Sequence, residues 1–270
     1  MQIPNTSHVI IIGAMKAGTT SLYDYFLDHK DICSCVVKEP EFFSETMNHG
    51  VKSVNYQELW PDYNGEKYVL ESSTGYTRFP REKGVAKRMY DSGIKPKFIY
   101  LVRDPVKRIE SHQNFMSRYI EYNMPATHSD VLETSNYYLQ LKQFLKYFPK
   151  GDLLVLDFDD LKTKPQSVVN KITDFLDIAE HEISNTIHNN ETLYPSFFEM
   201  SIKSLSLFKK SRHLIPESVA IKVKKFISKF SQSKKIALTS NEITEIKNHL
   251  KDDMKSLKKE FNINIEKWGF

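Results

Sequence analysis

One short stretch near the N-terminus combines the residue types that bind an anionic group. Four β-branched residues at 9–12 predict a buried strand, and an apolar stripe starting at Leu22 predicts a helix after it. Between them lies a loop bounded by Gly13 and Gly18. In such a strand–loop–helix unit, the loop N–H groups and the positive end of the helix converge on one point. The loop therefore predicts an anion cradle, to which Lys16 adds a full positive charge.

The spacing of this loop differs from that of a nucleoside-triphosphate loop. A Walker A loop has its lysine directly after the second glycine, so that the ammonium reaches the β- and γ-phosphates. Here Thr19 occupies that position, and Lys16 precedes Gly18 by two residues. Hydroxyls of Thr19 and Thr20 add donors beside the free helix N–H groups. The loop suits one phosphate with a bridging group better than a triphosphate with magnesium, and a turn that binds nothing is the alternative.

A second anion site is predicted where another strand ends. Residues 98–102 form an apolar run, Arg103 follows it, and Asp104 with the next proline is typical of a helix start. Ser111 lies seven residues after Asp104, on the helix face that points back toward the strand. An arginine and a hydroxyl that meet there suit a dianionic phosphate. The alternative for Arg103 is an ion pair with Asp104 or Glu71.

A carboxylate between these two motifs has surroundings that suit a general base. Glu39 precedes Pro40, which favours an extended loop, and two phenylalanines follow at 42 and 43. A partly apolar setting makes a carboxylate a better proton acceptor. Glu41 competes for this role, and a loop carboxylate paired with Lys38 is the other alternative.

Together these segments resemble the motifs of sulfotransferases that use 3′-phosphoadenosine 5′-phosphosulfate (PAPS). The loop resembles the phosphosulfate-binding loop of that family, and residues 97–111 resemble its 3′-phosphate motif. Residues 38–43 resemble the Lys-Glu-x-x-Phe-Phe signature of its carbohydrate branch. The phenol and steroid members typically carry Trp after Gly-Thr-Thr, whereas Ser21 follows here. The resemblance extends to about residue 180 and favours the carbohydrate branch.

The resemblance implies roles for individual residues. Lys16 and Glu39 would be catalytic, with Glu39 as the base. PAPS would be bound, without a metal, by Lys16, Ala17, Gly18, Thr19, Thr20, Ser21, Arg103 and Ser111. Two positions depart from the family pattern, because Thr74 stands where proline is common and Ser72 where glycan-specific members often have lysine.

Other segments must hold these residues in place. Strands are predicted at 67–71 and 153–158, and amphipathic helices at 136–148 and 164–178. This alternation predicts an α/β fold with a central parallel sheet, a P-loop-like three-layer sandwich with ligands at the carboxyl ends of the strands. The acids at 157, 159 and 160 are expected to cap a helix or face solvent rather than bind magnesium.

The chain is predicted to be one domain over 1–270, with an α/β core at 1–190 and a helical, basic part at 191–270. Between Lys203 and Lys235, ten basic residues stand against one acid. Residues 217–230 predict a basic amphipathic helix, packed on the core or, alternatively, in peripheral contact with a membrane. The basic residue expected to close over the 3′-phosphate is one of Lys203, Lys209, Lys210 and Arg212.

The composition is that of an ordinary globular protein. The 270 residues are 40% hydrophobic and 27% charged, and the formal net charge of +4 gives no argument for nucleic acid. No apolar run has the length of a membrane span, and the N-terminus lacks the pattern of a signal peptide. The two cysteines, Cys33 and Cys35, are expected to be reduced thiols, so the predicted location is cytoplasmic.

The predicted function is transfer of a sulfuryl group from PAPS to a hydroxyl or amine of a carbohydrate or glycolipid acceptor. The acceptor would attack in line while Glu39 takes its proton. Two alternatives remain at this point: a phosphotransferase that uses ATP and Mg²⁺, and a non-catalytic module that binds anionic ligands. The sequence predicts neither the identity of the acceptor nor the oligomeric state.

Overall fold

A sheet of five parallel strands forms the centre of the protein, as seen in a computed structural model that describes residues 1–46, 55–117, 122–183 and 236–270. The strand order is β2–β3–β1–β4–β5. The strands are β1 (His8–Gly13), β2 (Ile32–Ser34), β3 (Tyr68–Ser72), β4 (Lys97–Val102) and β5 (Leu153–Asp157). Every residue of β1 and β3 is buried, as expected for strands covered on both faces.

Helices connect and cover the strands. They are α1 (Thr19–Asp24), α2 (Val85–Asp91), α3 (Pro105–Met116), α4 (Ser129–Glu133), α5 (Tyr137–Phe144), α6 (Phe158–Thr163), α7 (Pro165–Leu176) and α8 (Ser240–Phe261). Short 3₁₀ turns lie at Tyr56–Leu59, Thr74–Thr77, Lys150–Asp152 and Glu266–Trp268. The predicted α/β class with a central parallel sheet is confirmed.

The register of the strands brings three loops to one edge of the sheet. Ile11 of β1 lies opposite Ser72 of β3 and Ile99 of β4. Because these strands are parallel and adjacent, the segments that follow them leave the sheet on the same side. The loop after β1 is therefore flanked by the turn that begins at Ser73 and by Arg103.

Several boundaries differ from the prediction. β3 is displaced by one residue from 67–71, and β5 ends at Asp157 because its carboxylate accepts the Asp159 N–H at 2.8 Å and caps α6. The predicted helices at 136–148 and 164–178 are shorter in the structure. The apolar spacing that predicted the helix at 136–148 continues to Phe148, which is buried but lies beyond the end of α5.

The short edge strand β2 was not predicted from the sequence. It carries Cys33, which like Cys35 is a buried free thiol. In the C-terminal part, α8 begins with the predicted capping box of Thr239 and Glu242. The predicted helix at 217–230 lies outside the described residues, as do Lys203, Lys209, Lys210 and Arg212.

α8 caps the first turn of α5 from the far end of the chain. The Asp253 carboxylate accepts the N–H groups of Tyr138 and Leu139 at 2.9 and 2.8 Å, whereas the side chain of Asn136, the N-cap residue of α5, makes no capping bond. The neighbouring Tyr137 hydroxyl donates to the Arg103 carbonyl oxygen at 2.7 Å. The end of β4 therefore depends on α5, and α5 depends on α8.

Among the described helices, none combines the length and apolarity that crossing a bilayer requires.

We expect Asp253→Ala to lower the free energy of unfolding by about 1–2 kcal/mol, because it leaves two helix N–H groups without their half-buried acceptor. Urea unfolding followed by circular dichroism measures the change. The neighbouring Asp252 is a matched control, since its side chain is 94% exposed and pairs only with Lys255 at the surface. Asp252→Ala should change stability by less than about 0.5 kcal/mol, and equal losses would refute the capping role.

Candidate functional site

The loop after β1 has an open helix N-terminus and tight packing behind it. Lys16 and Gly18 have φ angles of 69° and 90°, in the left-handed region. Gly18 is the N-cap of α1, and no side chain caps the helix there, so its first N–H groups are available to a ligand. A Cβ on Gly18 would lie 2.8 Å from the Phe158 ring. Only glycine fits between that ring and the loop.

The other predicted loop residues differ in exposure. Ala17 is buried and its N–H donates to the Ala14 carbonyl oxygen at 3.1 Å, so this N–H is used within the loop. Thr19 is 5% exposed at the start of α1, and Ser21 is half-buried on the same helix. Thr20 is exposed and accepts a hydrogen bond from the Lys38 ammonium at 2.5 Å. The structure thus places Lys38 at the loop, beside a residue of the predicted cradle.

Lys16 links the loop to α3. Its ammonium nitrogen lies 4.3 Å from the centroid of the Phe115 ring, within cation–π range. Phe115 and Ser111 are four residues apart on α3, so they share one face of that helix. The structure therefore brings Lys16 to the helix face on which Ser111 was predicted to act.

Arg103 lies directly against the same loop. Its Nη1 donates to the Lys16 carbonyl oxygen at 3.0 Å, and its guanidinium carbon lies 4.7 Å from the Phe158 ring centroid. Asp104 caps α3 by accepting the Val106 N–H at 2.9 Å, as predicted. The Glu71 carboxylate is occupied by three hydroxyl groups. The ion pairs considered for Arg103 are therefore replaced by contacts with the loop and an aromatic ring.

Glu39 lies on the other side of the loop, next to the turn after β3. It is half-buried, its N–H donates to the Ser72 carbonyl oxygen at 3.0 Å, and its carboxylate accepts the Thr74 hydroxyl at 3.4 Å. The predicted extended conformation is wrong, because Glu39 has a φ of 57° and Glu41 a φ of 52°. Such conformations cost about 1–3 kcal/mol and persist where surrounding contacts hold them. Here the contacts are those of Glu39 with β3 and of Glu41 with Gly75.

Glu41 is fully buried, unlike Glu39. Its Oε1 accepts the Gly75 N–H at 2.7 Å, and its own N–H donates to the Ser73 hydroxyl oxygen at 3.1 Å. Burial raises the pKa of Glu41 to about 8, assisted by the charges of Glu71 and Glu39 and opposed by the Gly75 hydrogen bond. A Cβ on Gly75 would lie 2.5 Å from Glu41 Oε2, so this carboxyl group requires glycine beside it. Glu41 is therefore buried within the turn and hydrogen-bonded to it.

A buried carboxylate also holds the turn after β3. Glu71 accepts hydroxyl hydrogen bonds from Tyr56 at 2.5 Å, and from Ser73 and Tyr76 at 2.6 Å each. Burial raises the pKa of Glu71. Ser72, which stands at the position of the family's lysine, is fully buried, and its hydroxyl has no hydrogen-bond partner within the part of the chain that the structure describes.

Two residues of this region were not singled out from the sequence. Arg78, directly after the turn Thr74–Thr77, is half-buried, and its Nη2 lies 3.6 Å from the Met15 sulfur in the loop. His112 is 5% exposed, and burial together with the charges of Arg108, Arg78 and Lys16 lowers its pKa to about 3. The sequence indicated Arg78 only by its position, two residues after Tyr76, which ends the Glu-x-Ser-x-x-Tyr pattern.

Two further charged residues have structural roles. Arg108 is fully buried and donates to the Ser135 hydroxyl at 2.6 Å and the Val131 carbonyl oxygen at 2.9 Å. Asp157 caps α6, in line with the prediction for the acids at 157–160. Across residues 1–46, 55–117, 122–183 and 236–270, no cluster of three His, Cys, Asp or Glu side chains could hold a metal ion.

The donor set fits a phosphate ester. An ammonium group, a guanidinium group and the first N–H groups of α1 lie around the loop that follows β1. Groups of these kinds can bind the separated phosphates of a nucleotide. A half-buried carboxylate stands on the opposite side of the loop.

Known proteins provide an independent comparison. A family model described as a sulfotransferase domain matches residues 6–259. Human heparan sulfate glucosamine 3-O-sulfotransferase 5 is 26% identical over 245 residues, which cover 83% of this chain and 69% of that protein. Mouse bifunctional heparan sulfate N-deacetylase/N-sulfotransferase 4 is 25% identical over 199 residues, which cover 64% of this chain and 22% of that protein.

Among solved structures, a sulfotransferase from Alicyclobacillus acidocaldarius shares the fold, with a TM-score of 0.69, 19% identity and 100% coverage of both chains. The fold, the sequence match and the geometry of the loop after β1 thus all point to a sulfotransferase. Since the family model spans nearly the whole chain, this chain belongs to the sulfotransferase family of PAPS-dependent enzymes.

Proposed function

We propose that this sulfotransferase acts on a hydroxyl or amino group of a carbohydrate acceptor, with Glu39 as the general base. The observation that carries the proposal is the placement of Glu39, half-buried beside Thr74, on the opposite side of the β1 loop from Arg103. This arrangement puts a carboxylate and the anion-binding groups on opposite sides of the same loop. Glu41 is a poor alternative because it is fully buried.

The relatives support the acceptor class. One acts on heparan sulfate glucosamine as a 3-O-sulfotransferase, and another contains a heparan sulfate N-sulfotransferase activity. Oxygen and nitrogen of an amino sugar are thus both acceptors among similar proteins. This chain spans only part of those proteins, so a carbohydrate or glycolipid acceptor is our proposal for it. A cytoplasmic location stays a prediction.

The residues divide the chemistry between them. When bound, PAPS supplies the sulfuryl group. Arg103 and Ser111 would bind the 3′-phosphate, and the N–H groups at the start of α1 would bind the phosphate at the 5′ side. Lys16 stabilises the negative charge that develops on the leaving phosphate, which is commonly the largest contribution to catalysis in such transfers. Glu39 removes the proton from the attacking hydroxyl or amine.

A magnesium-dependent phosphotransferase fits the site less well. Lys16 has the wrong spacing for the β- and γ-phosphates. The acidic pair after β5, Asp157 and Asp159, is bound by the Lys267 ammonium at 2.7 and 3.2 Å. These carboxylates therefore serve an ion pair within the protein.

We expect Lys16→Ala to lower turnover by about a hundredfold or more, or roughly 3 kcal/mol, since the ammonium acts on charge that develops in the transition state. Transfer from labelled PAPS measures the rate at saturating substrate. Lys107→Ala is the control, because this α3 lysine is exposed and pairs only loosely with Asp104 at 3.8 Å. Unchanged turnover with weaker nucleotide binding would mean that Lys16 binds PAPS without assisting the reaction.

Arg103→Ala should weaken adenosine 3′,5′-bisphosphate much more than adenosine 5′-phosphate. Loss of a charge-assisted contact with the 3′-phosphate predicts a difference of about 1.5–3 kcal/mol between the two nucleotides. Isothermal titration calorimetry measures both affinities on the same preparation. If both nucleotides lose equally, Arg103 supports the loop through Lys16 and does not read the 3′-phosphate.

Glu39→Gln and Glu41→Gln form a matched pair of variants. Glu39→Gln removes the base, so turnover should fall by about a hundred- to ten-thousandfold while nucleotide affinity is retained. Glu41→Gln should retain most of its turnover, because the carboxyl group with a pKa of about 8 is largely protonated at neutral pH and glutamine keeps the acceptor for Gly75.

The assay is transfer of labelled sulfate from PAPS to a glucosamine-containing polysaccharide. An inactive Glu41→Gln beside an active Glu39→Gln would reverse the two roles. Two active variants would place the base outside this segment and remove the main support for a carbohydrate-type site.

A further inference from the structure

The C-terminal turn Glu266–Trp268 is joined to the start of α6 by a two-pronged ion pair. The Lys267 ammonium lies 2.7 Å from Asp157 Oδ2 and 3.2 Å from Asp159 Oδ2. The turn itself is anchored, since Trp268 is 5% exposed. The two carboxylates flank Phe158, the first residue of α6. Lys267 therefore holds the chain on both sides of Phe158.

Phe158 is the aromatic residue of α6 that packs against the loop after β1, beside Leu161 of the same helix. Its ring lies against Gly18, where any Cβ would come within 2.8 Å of it. The guanidinium of Arg103 lies 4.7 Å from the centroid of the same ring. One aromatic side chain thus supports both the loop glycine and the arginine that is predicted to bind the 3′-phosphate.

The ion pair is sufficiently buried for its loss to matter. The Asp157 side chain is 9% exposed and the Lys267 side chain 31% exposed. Asp157 uses its second oxygen, Oδ1, to accept the Asp159 N–H at 2.8 Å and so caps α6. Removal of the ammonium would leave a buried carboxylate beside another acid, and the first turn of α6 would have to move to hydrate it.

We propose that Lys267 is a positioning residue for the nucleotide site, acting through Asp157 and Phe158 on Arg103. The inference rests on the proposed role of Arg103 at the 3′-phosphate. The lysine acts without contacting the nucleotide itself. Its effect is to fix the ring that limits where the guanidinium can lie.

The experiment compares adenosine 3′,5′-bisphosphate with adenosine 5′-phosphate by calorimetry. Lys267→Met keeps the apolar stem and removes the charge, and it should weaken the bisphosphate by roughly five- to tenfold, about 1.4 kcal/mol at the upper end. Adenosine 5′-phosphate should weaken by less than about twofold, because it lacks the group that Arg103 binds. Lys267→Arg should restore most of the difference, since a guanidinium can bridge two carboxylates.

Two further variants separate positioning from a general loss of stability. Lys150→Ala breaks another ion pair of the C-terminal part, with Glu260 at 3.1 Å, and should leave both affinities unchanged. Phe158→Leu keeps an apolar side chain but removes the ring. Like Lys267→Met, it should therefore reduce the preference for the bisphosphate over adenosine 5′-phosphate. In the double variant Lys267→Met with Arg103→Ala, the ratio of the two affinities should equal that of Arg103→Ala alone.

The outcomes distinguish the two levels of the argument. If Arg103→Ala does not discriminate between the nucleotides, the assignment of the 3′-phosphate site fails. If Arg103→Ala discriminates but Lys267→Met behaves like Lys150→Ala, the positioning role is wrong while the site stands. Equal weakening of both nucleotides by Lys267→Met, or a further change of the ratio in the double variant, would also overturn the positioning role.

Discussion

The hydrogen bond from the Arg103 guanidinium to the Lys16 carbonyl oxygen joins the ends of the two central strands. Arg103 follows β4 and Lys16 follows β1, and these strands are neighbours in the sheet. The bond orients the guanidinium toward the loop that carries Lys16. Two cationic side chains on neighbouring segments favour an anionic ligand there. The Arg103 guanidinium packs on the Phe158 ring, and the Arg103 carbonyl oxygen accepts the Tyr137 hydroxyl. The Lys16 ammonium lies over the Phe115 ring.

The opposite side of the site is built on buried acids. Glu71 is held by three hydroxyl groups, and Glu41 by the Gly75 N–H. Together they fix the turn whose Thr74 hydroxyl reaches Glu39. Of these three carboxylates, the two without exposure support the turn, whereas Glu39 is only half-buried. Burial thus separates two structural carboxylates from the one that we propose as the base.

The C-terminal part supports the Arg103 side of this arrangement from a distance. Asp253 caps α5, which carries Tyr137, and Lys267 holds the start of α6, which carries Phe158. Both contacts end at Arg103, through its carbonyl oxygen and its guanidinium respectively. The geometry of the nucleotide site is therefore a property of the domain as a whole.

Local patterns in the sequence were sufficient to predict much of this protein. The strand–loop–helix unit at Lys16, the Asp104 cap before Arg103 and the capping box at Thr239 all depend on residues close together in the chain, and the structure has each of them. The apolar runs of the central strands and the helical periodicity between them predicted a parallel α/β sheet. These features need no partner from elsewhere in the chain to be recognised.

Other features were decided only by tertiary structure. The edge strand β2 is three residues long and carries no periodic signal, so its pairing with β3 defines it. Glu39 departs from the extended conformation that Pro40 favours, because its contact with β3 outweighs that local preference. Likewise, Glu39 and Glu41 are chemically alike in the sequence, and only packing fully buries one of them. The sequence by itself determined which groups are present, whereas long-range packing decided which of them are buried and which stay accessible, since burial depends on neighbours distant in the chain.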